Sequence, residues 1–144
     1  MRSGFAGIVG RPNVGKSTLL NAILGEKIAI TTDKPQTTRN AIRGIYTKGD
    51  LQMIFIDTPG IHKPRNKLGK FMTEAATGTF SQVDAIIFIV DDALSKGPGD
   101  KYIVDLLKRS DTPKILVINK MDKMGPERFA EIYREYDELG MFEE

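Results

Sequence analysis

The chain has 144 residues, of which 40% are hydrophobic and 28% are charged, as is usual for one folded domain with its own core. It contains no cysteine and one histidine, which excludes disulfides, cysteine zinc sites and multi-histidine metal sites. The formal net charge of +2 is too small to indicate nucleic-acid binding by charge alone.

The first half of the chain predicts three strands and one helix before a long polar segment. An apolar strand over residues 4–9 ends at Gly10, and leucine and isoleucine at helical spacing predict a helix over 15–24. A threonine-rich loop fills 31–40. Strands over 41–47 and 51–57 are joined by a tight Gly-Asp turn, which predicts an antiparallel hairpin. Residues 58–70 are rich in proline, glycine and lysine, and predict a loop.

The second half of the chain alternates helices with continuous apolar strands. We predict helices over 71–80, 101–109 and 126–139, a loop over 94–100, and strands over 83–90 and 114–118. Apolar strands that alternate with helices predict an α/β domain. Its sheet is expected to be mainly parallel, with one antiparallel edge strand and helices on both faces.

Targeting signals are the next feature of the sequence. The N-terminal residues lack the apolar region of a signal peptide. The longest apolar run, 85–90, is far shorter than the ~20 residues that span a bilayer. These features predict an intracellular protein.

A glycine-rich segment between the first strand and the first helix is the strongest candidate site. It fits the phosphate-binding pattern G-x-x-x-x-G-K-[ST] and reads Gly10-Arg11-Pro12-Asn13-Val14-Gly15-Lys16-Ser17, followed by Thr18. In this pattern, backbone N–H groups and the helix N-terminus surround a phosphate chain. We expect Lys16 to neutralise the β- and γ-phosphates and the Ser17 hydroxyl to bind Mg²⁺.

Two further segments are candidates for contacts with Mg²⁺ and the γ-phosphate. Asp57-Thr58-Pro59-Gly60 ends the third strand, at the sheet edge where α/β folds bind ligands. There Asp57 can hold Mg²⁺ through water, and the Gly60 N–H can meet the γ-phosphate. In the 31–40 loop, Thr38 is favoured over Thr37 as a switch contact that is released when the γ-phosphate leaves. The alternative is a threonine-rich solvent loop.

Asn119-Lys120-Met121-Asp122 follows the last predicted strand directly and indicates which base is bound. The Asp122 carboxylate can accept hydrogen bonds from N1 and N2 of guanine, whereas adenine has no such pair of donors. Asn119 can serve the O6/N7 side, and the Lys120 stem can cover the ring. Sites built on such hydrogen bonds reject the mismatched base by about 10⁴-fold or more.

These segments together resemble the Era-type GTPases, a bacterial group of the translation-factor-like P-loop GTPases. The resemblance covers nearly all of residues 4–140 and rests on GRPNVGKS, PQTTRN, DTPGIHKP and NKMD. It implies the Ras-like P-loop GTPase fold, binding of GTP or GDP with Mg²⁺, and slow hydrolysis to GDP and phosphate. It also implies a role in maturing the small ribosomal subunit and its 16S rRNA. The implied location is the cytoplasm, with peripheral association at the inner face of the cell membrane as the alternative.

The resemblance also bears on the hydrolytic residues. Many GTPases carry a glutamine just after D-x-x-G to orient the attacking water, but this chain has Ile61. Similar GTPases use the asparagine at the position of Asn13 to hold K⁺ in place of an arginine finger, and the alternative is that Asn13 only shapes the loop. The expected catalytic set is therefore Lys16, Thr38, Gly60 and Asn13.

Era-type proteins continue with a further strand, a last helix and an RNA-binding KH domain, and none of these follows Glu144 in this sequence. We therefore expect residues 1–144 to be a C-terminally truncated GTP-binding domain with the edge of the 114–118 strand exposed. RNA would be contacted mostly through the part that is absent. The alternative function is a nucleotide-binding docking module with little or no hydrolysis.

Three other groups of residues are weaker candidates. The basic stretch 62–70 contacts phosphate in one interpretation and is a solvated loop in the other. The pair Asp91-Asp92 ends a buried strand and is expected to start a turn or helix rather than to bind metal. The aromatic residues at helical spacing are predicted to pack in the core or on the helix face: Phe129, Tyr133 and Tyr136.

Overall fold

The computed structural model describes residues 2–10, 15–25, 41–57, 80–91 and 98–144. This part of the chain contains five strands and three α-helices. In chain order they are β1 (Arg2–Gly10), α1 (Lys16–Leu24), β2 (Ala41–Lys48), β3 (Leu51–Asp57), β4 (Ala85–Val90), α2 (Pro98–Leu107), β5 (Lys114–Ile118) and α3 (Pro126–Asp137). A short 3-10 helix, Met121–Lys123, lies between β5 and α3.

The five strands form one sheet in the order β2-β3-β1-β4-β5. β2 runs antiparallel to β3, and the other neighbours are parallel. This confirms the predicted α/β fold with one antiparallel edge strand. Since β1, β3, β4 and β5 run in the same direction, their carboxyl ends share one edge of the sheet.

Helices cover both faces of the sheet, as the alternation of elements predicts. On one face, Leu20 of α1 packs with Ile8 and Phe55. On the other face, Ile103 of α2 and Ile132 of α3 pack in a larger cluster. Residues of β4 alternate between the clusters, with Ile86, Phe88 and Val90 on the α2–α3 face and Ile87 and Ile89 on the α1 face.

Several element boundaries differ from the sequence-based expectation. α2 begins at Pro98, so the predicted loop over 94–100 was wrong at 98–100. Proline is favoured in the first turn of a helix because the N–H that it lacks has no partner there. β4 begins at Ala85 rather than at residue 83, because the chain bends at Asp84, whose carboxylate accepts a hydrogen bond from the Phe5 N–H at 2.8 Å.

Other predicted segments lie wholly or mostly outside the described residues. These are the loops over 31–40 and 58–70 and the helix over 71–80, of which the structure describes Phe80 alone. Among the described residues, no helix is long and apolar enough to cross a membrane.

The edge of β5 is not fully exposed, which corrects one expectation. The Glu143 N–H donates to the Lys114 carbonyl at 2.7 Å, and the Leu116 N–H donates to the Glu144 carbonyl at 3.0 Å. The ring of Phe142 stacks on Phe88 with centroids 6.2 Å apart. The residues after α3 therefore turn back and pair with β5.

Candidate nucleotide-binding site

The candidate site lies at the sheet edge where four strands end. Gly10 ends β1 and Asp57 ends β3, while Asp91 and Asn119 directly follow β4 and β5. The register places Val90 beside Ile118, so the residues that follow these two strands are neighbours. Ligands of open α/β sheets bind outside this edge, which makes it the place where the three sequence motifs can meet.

The glycine-rich segment ends at the N-terminus of α1. Gly15 is the N-cap residue of this helix and has a φ of 98°, a left-handed conformation that glycine adopts without steric cost. Because glycine has no side chain, the N-cap residue does not accept a side-chain hydrogen bond from the N–H groups in the first turn of α1. Lys16 reaches back to the end of β1, where its Nζ donates to the Gly10 carbonyl at 3.3 Å. An ammonium group and a helix N-terminus thus lie together, as an anion requires.

Asn119 joins the third motif to the first. A Cβ built on Gly15 would overlap the Asn119 Nδ2, so glycine is required there for this close approach. The Asn119 N–H donates to the Val90 carbonyl at 2.8 Å, which extends the β4–β5 hydrogen bonding by one residue. The segment expected to recognise the base therefore lies directly against the segment expected to bind phosphate.

Lys120 and Asp122 occupy the turn that follows. Lys120 has a φ of 61° and precedes the 3-10 helix that contains Asp122. Its Nζ lies 3.2 Å from Oδ2 of Asp91, with the Lys120 side chain 32% exposed and that of Asp91 6% exposed. Asp122 is exposed to solvent, so its carboxylate is accessible to a ligand at this edge.

The remaining predicted site residues are placed as follows. Ser17 and Thr18 lie in the first turn of α1, and both are exposed. The backbone of Asp57 ends β3 at the same sheet edge. The other predicted residues lie outside the described part of the chain: Arg11, Pro12, Asn13, Val14, Thr38 and Gly60. Within the described ranges there is no group of three or more histidine, aspartate or glutamate side chains placed to hold a metal ion.

The role of Asp91 in this site was not predicted from the sequence. Asp91 was expected to start a turn, but its buried carboxylate pairs with Lys120. The signal available in the sequence was its position, because an aspartate directly after a buried strand lies at the same sheet edge as the residues after the other parallel strands.

The chain matches the family described as 50S ribosome-binding GTPase over residues 5–120. It belongs to this GTPase family. It is 58% identical over 141 residues to the GTPase Era of Alkaliphilus oremlandii (strain OhILAs), covering 98% of this chain and 48% of the relative. It is 56% identical to the GTPase Era of Clostridioides difficile (strain 630), covering 99% and 48%. The chain thus spans about half the length of the curated relatives it matches, and the resemblance to Era-type GTPases is confirmed.

Three solved structures agree with the fold. Era in complex with MgGDPNP and nucleotides 1506–1542 of 16S ribosomal RNA is 40% identical, with a TM-score of 0.74 over 96% of this chain and 49% of that one. An Aquifex aeolicus Era variant bound to GDP·AlF4⁻ is 37% identical, with a TM-score of 0.73 over the same shares. The G-domain of Methanococcus jannaschii FeoB shares the fold at 23% identity, with a TM-score of 0.64 over 99% of this chain and 84% of that one.

Proposed function

We propose that this chain binds and hydrolyses GTP as the nucleotide-binding unit, residues 1–144, of an Era-type molecular switch. The observation that carries the proposal is the contact between Gly15 and Asn119 beside Lys16. This contact brings together the segments proposed to bind phosphate and guanine, at the carboxyl ends of the parallel strands. The relatives named GTPase Era support the same activity.

The residues at this edge suit a guanine nucleotide. A Cβ at Gly15 would displace the Asn119 amide from its position, and the N–H groups of α1 and the Lys16 ammonium would provide positive charge for the phosphates. Asp122 would accept hydrogen bonds from guanine N1 and N2, while Asn119 would meet the opposite edge of the base. The exposed Asp122 carboxylate is thus the proposed source of base preference.

The donor set also suits Mg²⁺, which binds hydroxyl and carboxylate oxygens and keeps several waters. Ser17, Thr38 and Asp57 would hold this ion. When bound, Mg²⁺ supplies neutralising charge on the β- and γ-phosphate oxygens. The related Era that was solved with MgGDPNP supports this proposal.

Hydrolysis follows from positioning and charge rather than from a strong general base. Water attacks the γ-phosphorus, the bond to the β–γ bridging oxygen breaks, and GDP and phosphate leave. Lys16 would stabilise the negative charge on the phosphate oxygens, and Thr38 and Gly60 would contact the γ-phosphate and lose this contact when it leaves. Since the side chain of Ile61 cannot donate or accept a hydrogen bond, no glutamine side chain at this position orients the attacking water, and we expect slow turnover.

The biological role proposed here is maturation of the small ribosomal subunit. One related Era was solved with a segment of 16S ribosomal RNA, which supports 16S rRNA and the small subunit as partners of the whole protein. RNA contact is expected mostly outside residues 1–144. The cytoplasm is the proposed location, and peripheral association with the cell membrane stays a prediction from the resemblance.

A binding and single-turnover experiment tests the proposal. The chain should bind GDP and GTP at micromolar concentration or below and should not bind ATP. It should also release phosphate from bound GTP. Lys16→Ala should abolish tight binding, whereas Lys108→Ala, an exposed lysine beyond α2, should not. Bound GTP that releases no phosphate over hours would favour the docking module, and absence of guanine nucleotide binding would refute both functions.

A further inference from the structure

The buried carboxylate of Asp91 contacts Lys120 in the segment 119–122, which is proposed to recognise the base. Asp91 is 4% exposed as a residue and immediately follows β4. Its Oδ2 accepts a hydrogen bond from the Lys120 Nζ at 3.2 Å, between residues 29 positions apart in the sequence. A buried carboxylate is costly unless it is paired and hydrogen-bonded, so this contact fixes where the Lys120 ammonium lies.

Two neighbouring residues of the segment are therefore held by the end of β4. The Asn119 N–H bonds to the Val90 carbonyl at 2.8 Å, and the Lys120 side chain bonds to Asp91. Lys120 is the only non-glycine residue with positive φ in the described ranges. A lysine in this conformation is unfavourable by about 1 kcal/mol or more, and the surrounding contacts must maintain it.

We propose that Asp91 is a positioning residue for guanine nucleotides, acting through Lys120. Holding the ammonium extends the aliphatic stem of Lys120 along the sheet edge, where it covers the face of the purine. This inference rests on the proposed function, since it names a further residue of the same site. The contribution is to the ring face rather than to the base edge, so it should be equal for guanine and hypoxanthine nucleotides.

A double-mutant cycle on GDP dissociation tests this inference. Asp91→Asn keeps the size of the side chain and removes its charge, and we expect GDP to dissociate about tenfold faster. In the Lys120→Met background, the same change should alter the rate by less than about twofold. Inosine diphosphate should respond to Asp91→Asn by the same factor as GDP. Asp84→Asn, at the opposite end of β4, is the matched control and should leave both rates unchanged.

The outcomes separate this inference from the proposed function. If the wild-type chain binds no guanine nucleotide, the proposed function fails. The other outcome concerns a chain that binds GDP. If the combined effect of Asp91→Asn and Lys120→Met on the dissociation rate equals the product of their separate effects, Asp91 does not act through Lys120 and the inference is overturned. Should Asp91→Asn not fold, Asp91→Glu replaces it in the cycle. That variant keeps the charge with a shifted position, and we expect dissociation about two- to fivefold faster with Lys120 and unchanged with Lys120→Met.

Discussion

The Asp122 carboxylate is exposed in the 3-10 turn after β5, where it can accept hydrogen bonds from both donors of guanine. Asp122→Asn replaces one acceptor oxygen with a donor, which suits the O2 of xanthine. We expect GDP affinity to fall by about 10²-fold or more and xanthosine diphosphate to become the preferred ligand, measured by displacement of fluorescent GDP. Asp105→Asn, exposed on α2, is the control, and an unchanged preference for GDP would refute the assigned base site.

Gly15 provides a second test at the residue scale. Gly15→Ala places a Cβ against Asn119 at a φ of 98°, so it should displace Asn119 and strain the start of α1. We expect GDP affinity to fall by about 10²-fold, as misplacement of binding groups by an ångström does, measured by calorimetry. Gly49→Ala is the matched control, because its φ is 59° but no atom lies within 4 Å of the added Cβ.

The control separates backbone strain from loss of the site. Gly49→Ala should reduce the free energy of unfolding by about 1–2 kcal/mol, measured in urea, and leave GDP affinity unchanged. If Gly15→Ala lowers stability by a similar amount without weakening GDP binding, the contact between Gly15 and Asn119 does not belong to the nucleotide site.

At the scale of elements, four of the five strands could be predicted because each contains a short, mostly apolar run ended by a turn or loop signal, and β2 could be predicted from its alternating pattern and the tight turn that joins it to β3. The start of α2 could not, since the segment Gly97-Pro98-Gly99 has the composition of a loop and only the packed helix shows Pro98 in its first turn. The Asp91–Lys120 pair was also beyond prediction, because it depends on β4 and β5 being neighbours. Which strands are neighbours depends on the order of strands in the sheet, and the hydrophobic periodicity of a single segment does not reveal that order.

Phe142 provides a test of what holds residues 143–144 against β5. Its ring stacks on Phe88 and meets Tyr136 edge-on at 6.3 Å, and this holds Glu143 and Glu144 against β5. Phe142→Ala should therefore lower the free energy of unfolding by about 1–3 kcal/mol. It should also speed hydrogen exchange of the Leu116 amide, which bonds to the Glu144 carbonyl.

Tyr133→Ala is the control for Phe142→Ala, because Tyr133 is 55% exposed and contacts Phe129 rather than Phe88. It should leave Leu116 exchange unchanged. Equal protection of Leu116 in both variants and in the wild-type chain would mean that aromatic stacking does not hold this segment on β5.

At the scale of the whole molecule, the rate of the proposed GTP hydrolysis is expected to depend on what orients the attacking water, because this chain has Ile61 where many GTPases have a glutamine. Asn13 is the proposed ligand of a K⁺ ion that would add positive charge at the phosphates, the role of an arginine finger, which is worth about 10³–10⁵ in rate. Phosphate release should be about tenfold or more faster in KCl than in NaCl of equal ionic strength, because the smaller ion fits the same ligands less well. Asn13→Ala should remove the difference while GDP affinity in the two salts stays equal. If the wild-type chain releases phosphate at equal rates in both salts, Asn13 does not hold a catalytic K⁺ ion, and its role is limited to shaping the phosphate-binding loop.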